Sequence, residues 1–292
     1  MPRPDRPRLA RRALLQQGGG ALLATGLPGA LRAAVAAPAA SAASAASAAS
    51  AASAASAASA ASAASAAASQ EREQALLARF SGAGAGPAPP PPWQAQDLRS
   101  IPPNRHALVE DGGRTVLEID SRASASSLLH PLGKDSAGAR RLRWRWKTDA
   151  YPLSARFGEK GGDDYAARIY LLFDHPLERV PLAQRMLLRA ARSLHGEDLP
   201  AATLCYLLDP RAPAETLVES PYTSRVRMIV VRSAERTGTW WEEERDLAAD
   251  FQRAFGAEHG PGMPALRAIA VAADTDQSGA RLRTRFGDLE LR

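Results

Sequence analysis

The sequence predicts a mainly β protein, an antiparallel β-sandwich carrying one or two short helical insertions, and three observations support that prediction. Leu142, Trp144 and Trp146 alternate with Arg141, Arg143, Arg145 and Lys147, the period of two that marks a strand with one buried and one wetted face. In a second run, Ala166 to Phe173, the side chains of Ala167, Ile169, Leu171 and Phe173 point one way and those of Arg168, Tyr170 and Leu172 the other; Asp174 and Pro176 close it. Beyond Trp93 the chain is a series of short extended runs broken by turn residues, with only two helical periods, as stacked antiparallel sheets require.

Composition narrows the functional classes. The formal charge of +6 suggests a nucleic-acid partner, but its location argues against one. Residues 1–37 hold six arginines against Asp5 alone, leaving 31 basic and 30 acidic residues for the rest. The excess is a property of the leader, and no nucleic-acid surface is expected. Cys205 is the only cysteine, which excludes an internal disulfide and a cysteine-clustered zinc site; its apolar neighbours point to a buried, inert thiol.

Residues 1–37 read as a secretory signal peptide: a basic start, an apolar glycine-rich stretch from Gly18 to Leu31, and the small-residue site Ala34, Val35, Ala36. The stretch is too short and too rich in glycine for an integral membrane anchor. Arg11 and Arg12, followed by Leu14 and Leu15, resemble a twin-arginine signal, although Ala10 and Gln16 depart from its usual residues. A periplasmic or secreted location is therefore expected. Residues 38–92 follow as a disordered spacer. Its Ala-Ala-Ser repeat has a period of three, which spreads serine around a helix and leaves no consistently apolar face. Gln70 to Phe80 is a short helical candidate, isolated by a Pro/Gly linker from Gly82 to Pro92. The folded domain is expected over residues 93–292.

Within that domain His106 to Glu110, Asp111 to Gly113 and Arg114 to Asp120 form a hairpin signal, with Leu117 and Ile119 inward. Ser124, Ser126 and Ser127 suggest a polar edge. Pro181 to Leu194 shows a helical stripe of Ala183, Leu187, Ala190, Ala191 and Leu194, with Gly196 as its stop. Extended runs return at Thr203 to Leu208, Arg225 to Arg232 and Thr239 to Glu244. A second helix is capped by Asp246, turns Leu247, Phe251 and Phe255 inward, and stops at Gly256. In the last segment Leu282, Thr284 and Phe286 are even while Leu289 and Leu291 are odd, so the inward face changes parity near Gly287, as at a β-bulge.

The run Gly162 to Tyr170, the preceding Trp144, Arg145 and Trp146, Arg227 to Val231, Asp274 to Asp276, and Phe286 to Asp288 resemble, in this order, the bacterial family known as domain of unknown function 3047. The likeness covers about Trp93 to Arg292 and carries no assigned activity. It implies an exported protein with a jelly-roll, galactose-binding-like domain of the kind that binds carbohydrate. Gln277, Ser278 and Gly279 depart mildly from the family, which often has Asn and Thr there.

Three groups could carry chemistry. Asp163, Asp164, Tyr165 and Arg168 follow a glycine-rich loop; alternation places Asp164 on the face of Arg168. An ion pair fixing the start of the strand is the simpler reading, and ligand binding or acid/base work the functional one. Asp274, Asp276 and Ser278 begin like a calcium loop, but Arg285 stands where an EF-hand needs a bidentate Glu. That excludes the standard motif and leaves Asp288 or Glu290 as a remote ligand, against an ordinary capped turn. Trp144 and Trp240 offer sugar-stacking surfaces, with core filling as the cheaper account. The five histidines lack metal-ligand spacing, and no nucleophile elbow or phosphate loop occurs. The leading expectation is a non-enzymatic module that binds a glycan or other envelope ligand. The alternatives are a polysaccharide hydrolase with paired carboxylates and a structural partner-binding domain.

Overall fold

The computed structural model describes residues 76–89, 91–133, 138–195 and 199–292. The signal peptide, the Ala/Ser repeat, most of the helical candidate before Leu76 and the helix stop at Gly196 lie outside the described residues. What is described is mainly β, in two seven-stranded sheets with two α-helices, strands and helices being numbered in chain order.

The first sheet is built on β6 (Arg141–Thr148). One edge of β6 pairs with β11 (Trp241–Asp246), the other with β13 (Arg281–Phe286) and then β14 (Leu289–Leu291). Beyond these lie β4 (Arg114–Arg122) and β3 (Arg105–Asp111) on β13, and β1 (Leu76–Ala78) on β14. Opposite Phe286 is Trp146 and opposite Glu290 is Arg143, so four steps along one strand match three along the other. That single extra residue is the bulge expected at Gly287, and it returns Leu289 and Leu291 to the core. Gly287 suits the position because a Cβ there would sit 2.5 Å from the Arg145 side chain.

The second sheet runs β2 (Gln94–Asp97), β5 (Ala125–Pro131), β12 (Leu266–Asp274), β7 (Ala167–Phe173), β8 (Ala202–Asp209), β10 (Thr223–Ser233) and β9 (Leu217–Ser220). All pairs are antiparallel except β8 with β10. This corrects the purely antiparallel expectation: the chain leaves β8, places the short β9 on the outer edge and folds back so that the longer β10 lies between them.

One hydrophobic cluster unites inward residues of both sheets. Trp144 of β6 stacks on Tyr206 of β8, with ring centroids 5.6 Å apart and planes 4° from parallel. The second helix, α2 (Leu247–His259), adds Leu247, Phe251 and Phe255, and Phe251 lies 4.8 Å from Phe173. Asp246 caps it by accepting the Ala249 N–H at 3.0 Å. The helix runs through Gly256 and ends instead at Gly260, whose φ of +80° suits a left-handed terminus.

Two further expectations are corrected. Ser124 and Ser126 are buried rather than at an edge, because Asn104 draws them inward: Ser124 Oγ donates to Asn104 Oδ1 at 2.7 Å, and Asn104 N–H donates to Ser126 Oγ at 2.9 Å. Leu76 to Phe80 is not the end of a helix. Its backbone pairs with β14, and Phe80 is buried against Trp93, which satisfies more groups than a short isolated helix could. In the first helix, α1 (Leu182–His195), Leu188 and Ala191 face the body while Leu187 is 72% exposed. Trp144→Ala is expected to destabilise the fold by about 3–5 kcal/mol in urea titrations, the range for removing a large buried aromatic.

Candidate functional site

Tyr170 and Leu172 of β7 face away from the inter-sheet core, and so do their neighbours in register. One rung runs Ser127, Ala272, Arg168; the next runs Leu129, Ala270, Tyr170, Cys205, Met228; a third joins Leu172, Thr203 and Val226. Because the middle strand presents only alanines here, the long side chains on either side leave a hollow. A cavity of ≈ 140 Å³ lies over it, with Gln96 and Tyr222 at its rim and Asp163, Arg168 and Asp274 at one end. The alternation of alanine with Ile269 and Val271 along β12 is the signal that could have located this hollow from sequence.

The charged end is built around Arg168, which is 5% exposed. Its Nε donates to Asp274 Oδ1 at 3.1 Å, and Nη2 bonds the other Asp274 oxygen. Nη2 also donates to the Asp163 carbonyl at 2.6 Å, and Nη1 to the Tyr170 hydroxyl at 3.1 Å. The guanidinium lies 4.3 Å from the centroid of the Tyr165 ring. Burial disfavours the charged form of Arg168, yet Asp274, Tyr170 and Asp163 outweigh it and hold the pKa well above the ordinary value.

Asp163, rather than Asp164, accompanies Arg168. The chain makes a 3₁₀ turn at Lys160–Gly162 and leaves it through Asp163 at φ −80°, ψ 45°, so strand alternation has not begun there. Gly162 is required at that turn, since a Cβ would come within 2.5 Å of the Arg156 nitrogen. Asp164 points to the turn after β12, accepting the N–H of Gln277 at 3.1 Å and of Ser278 at 2.6 Å. Asp163 donates its N–H to Gln277 Oε1 at 3.3 Å, and Gln277 Nε2 reaches the Tyr222 hydroxyl at 3.0 Å. Tyr165 closes the loop onto β12: its N–H donates to Asp274 Oδ1 at 2.8 Å, and its carbonyl accepts from the Asp274 N–H at 3.1 Å.

The remaining candidates are dispersed. Asp164, Asp274 and Asp276 can bring carboxylate oxygens within 4.8 Å of one another. A cation there would compete with Arg168 for Asp274. Ser278 spends its N–H on Asp164 and its hydroxyl on the Thr275 carbonyl at 3.3 Å. Asp288 lies elsewhere, accepting the N–H of Ser81 at 2.9 Å and its hydroxyl at 2.5 Å. Trp144 is in the core. Trp240 lies over the outer face of β6, with Arg145 and Lys147 at 4.5 and 5.0 Å from its ring. Cys205 is buried beneath the hollow, and burial pushes its thiol up to about 12, which leaves it inert. Gln96 and Tyr222 were not singled out by sequence reasoning, because no motif marks them; Tyr170 lies within, and Gln277 directly after, stretches that resemble the family, but neither was read as a site residue.

Fold and site together define a two-sheet, mainly β protein with a polar-ended hollow on the face of one sheet. The chain belongs to the family described as protein of unknown function (DUF3047), matched over residues 91–290. No curated protein matches it. Among solved structures it is similar to endoglucanase Cel12A from Rhodothermus marinus, at 13% identity and a TM-score of 0.36 over 68% of this chain and 96% of that one. It is also similar to endoglucanase 3 of family GH12 from Trichoderma harzianum, at 8% identity and a TM-score of 0.35 over 70% and 99%. The catalytic domain of Humicola grisea Cel12A matches at 11% identity and a TM-score of 0.34 over 68% and 95%.

Arg168→Met should cost about 3–5 kcal/mol in urea unfolding, because it strands buried carboxylates without their cation. Asp163 behaves differently. Burial raises its pKa above the ordinary 3.8, with Arg168 opposing only in part. A raised carboxylate favours the protonated fold, so its stability contribution is full below 3.8 and lost as pH rises through the folded-state value. Asp163→Asn keeps the carbonyl that Arg168 uses; it should melt above wild type near neutral pH and converge with it toward acid. A variant less stable than wild type at neutral pH would show that the ion pair outweighs burial.

Proposed function

We propose that this protein is an exported β-sandwich of the jelly-roll, galactose-binding-like kind that binds a glycan of the cell envelope in the hollow of the second sheet. The observation that carries the reading is the composition of that hollow. Aliphatic side chains and the Tyr170 and Tyr222 rings line it for the apolar faces of a sugar, and Gln96, Ser127, Thr203 and the Asp163 end supply directional polar groups. Export rests on the leader with Arg11 and Arg12, and places the protein in the periplasm or outside the cell.

A second reading, hydrolysis of an envelope polysaccharide, draws on one observation. Asp163 and Asp274 both line the cavity, and Asp163 has a raised pKa and a buried Oδ1 without a hydrogen-bond partner, as a general acid would. Binding is favoured over it because both oxygens of Asp274, the other carboxylate among the described residues that line the cavity, are engaged by Arg168.

Glycan-array and thermal-shift screens of the chain, with and without calcium, should yield an oligosaccharide that raises the melting temperature. Ala272→Leu, which fills the hollow without removing any of its polar groups, should abolish that shift. Equal binding by Ala272→Leu, or no glycan at all, overturns the proposal. Release of reducing ends that Asp163→Asn eliminates would favour the hydrolase instead.

A further inference from the structure

The helix α1 presents its apolar side to solvent. Leu182, Met186 and Leu187 are 66%, 64% and 72% exposed, and Ala183 and Ala190 beside them are exposed too. At 100° per residue these five positions cover about 140° of the helix surface. The opposite side holds the helix to the body: Leu188 and Ala191 pack with Val180, Leu199 and Ala201, and Arg192 donates to the Leu199 carbonyl at 2.6 Å.

We propose that this face docks on an anionic lipid bilayer, with α1 lying in the plane of the interface. Charge complementarity selects that occupant. The helix carries Arg185, Arg189 and Arg192 and no acidic residue; the nearest carboxylates in sequence, Glu178, Glu197 and Asp198, lie beyond its ends. Arg189 is exposed at one margin of the apolar arc, with the half-buried Arg185 behind it, whose Nε has no hydrogen-bond partner among the described residues. An apolar arc bordered by an exposed arginine whose stem can reach the headgroups, on a helix with three arginines and no acidic residue, fits an interfacial helix. A second copy would set Arg189 near its own image across a two-fold axis, with no carboxylate of the helix to answer it. Spanning is excluded by length, since 14 residues fall short of the roughly 20 that cross a bilayer.

Flotation of the full chain with phosphatidylcholine vesicles, with and without phosphatidylglycerol, tests this. Wild type should float with the anionic vesicles, less so at high salt, and little with phosphatidylcholine alone. Leu187→Asp should weaken flotation about tenfold or more, through loss of one inserted side chain. Arg189→Glu should also weaken it, and both variants should melt like wild type because neither position reaches the core. Any contribution from residues 1–75 is common to all three proteins and cancels in the comparison. Wild type that stays in solution overturns the proposal. So does a Leu187→Asp variant that floats equally well, or light scattering that shows a dimer dissolved by that substitution.

Discussion

The candidate site depends on a cation buried among carboxylates. Arg168 is almost wholly buried, so its charge is tolerable only where oxygen atoms surround it, and Asp274, the Asp163 carbonyl and the Tyr170 hydroxyl provide them. Those oxygens come from three places: the end of β12, the loop before β7, and β7 itself. The guanidinium thereby fixes the loop against the sheet. The loop in turn orients Asp164 toward the turn at Gln277, and Gln277 reaches Tyr222 on the far rim. A single charge thus organises the charged end of the hollow. Such a pair adds little net stability compared with a well-packed apolar alternative, so its value lies in the geometry it specifies.

Local patterns were legible where the environment of a residue follows from its position in the chain. The hairpin at Gly112 and Gly113, the tryptophan face of β6, the cap at Asp246 and the bulge at Gly287 each rest on neighbours within a few residues, and each matches the structure. The errors arise where distant segments intervene. Ser126 reads as an edge residue until Asn104 is seen to bond it, and Asp164 reads as the partner of Arg168 until the 3₁₀ turn shifts the register. The α1 period was legible, but periodicity reports that one side is apolar and not whether anything covers it: Ala191 of that stripe packs on the body and Leu187 faces solvent.

The hollow illustrates the same limit from the other direction. Its floor is a row of small side chains contributed by one strand, and its walls come from strands on either side that meet only in the folded sheet. Alternating alanines on β12 were visible in the chain. Their meaning depended on knowing that β5 and β7, not solvent, flank them.

The order of the strands also bears on how the polypeptide is made. Both sheets take an interior member from the C-terminal part of the chain: β12 inserts between β5 and β7, and β13 between β4 and β6. During translation the earlier strands therefore emerge with unsatisfied backbone edges; the second layer cannot close until residue 274 has left the ribosome, nor the first until residue 286 has. Until those strands emerge the earlier ones stay exposed to mispairing, and holding factors have that long stretch of polypeptide to act upon.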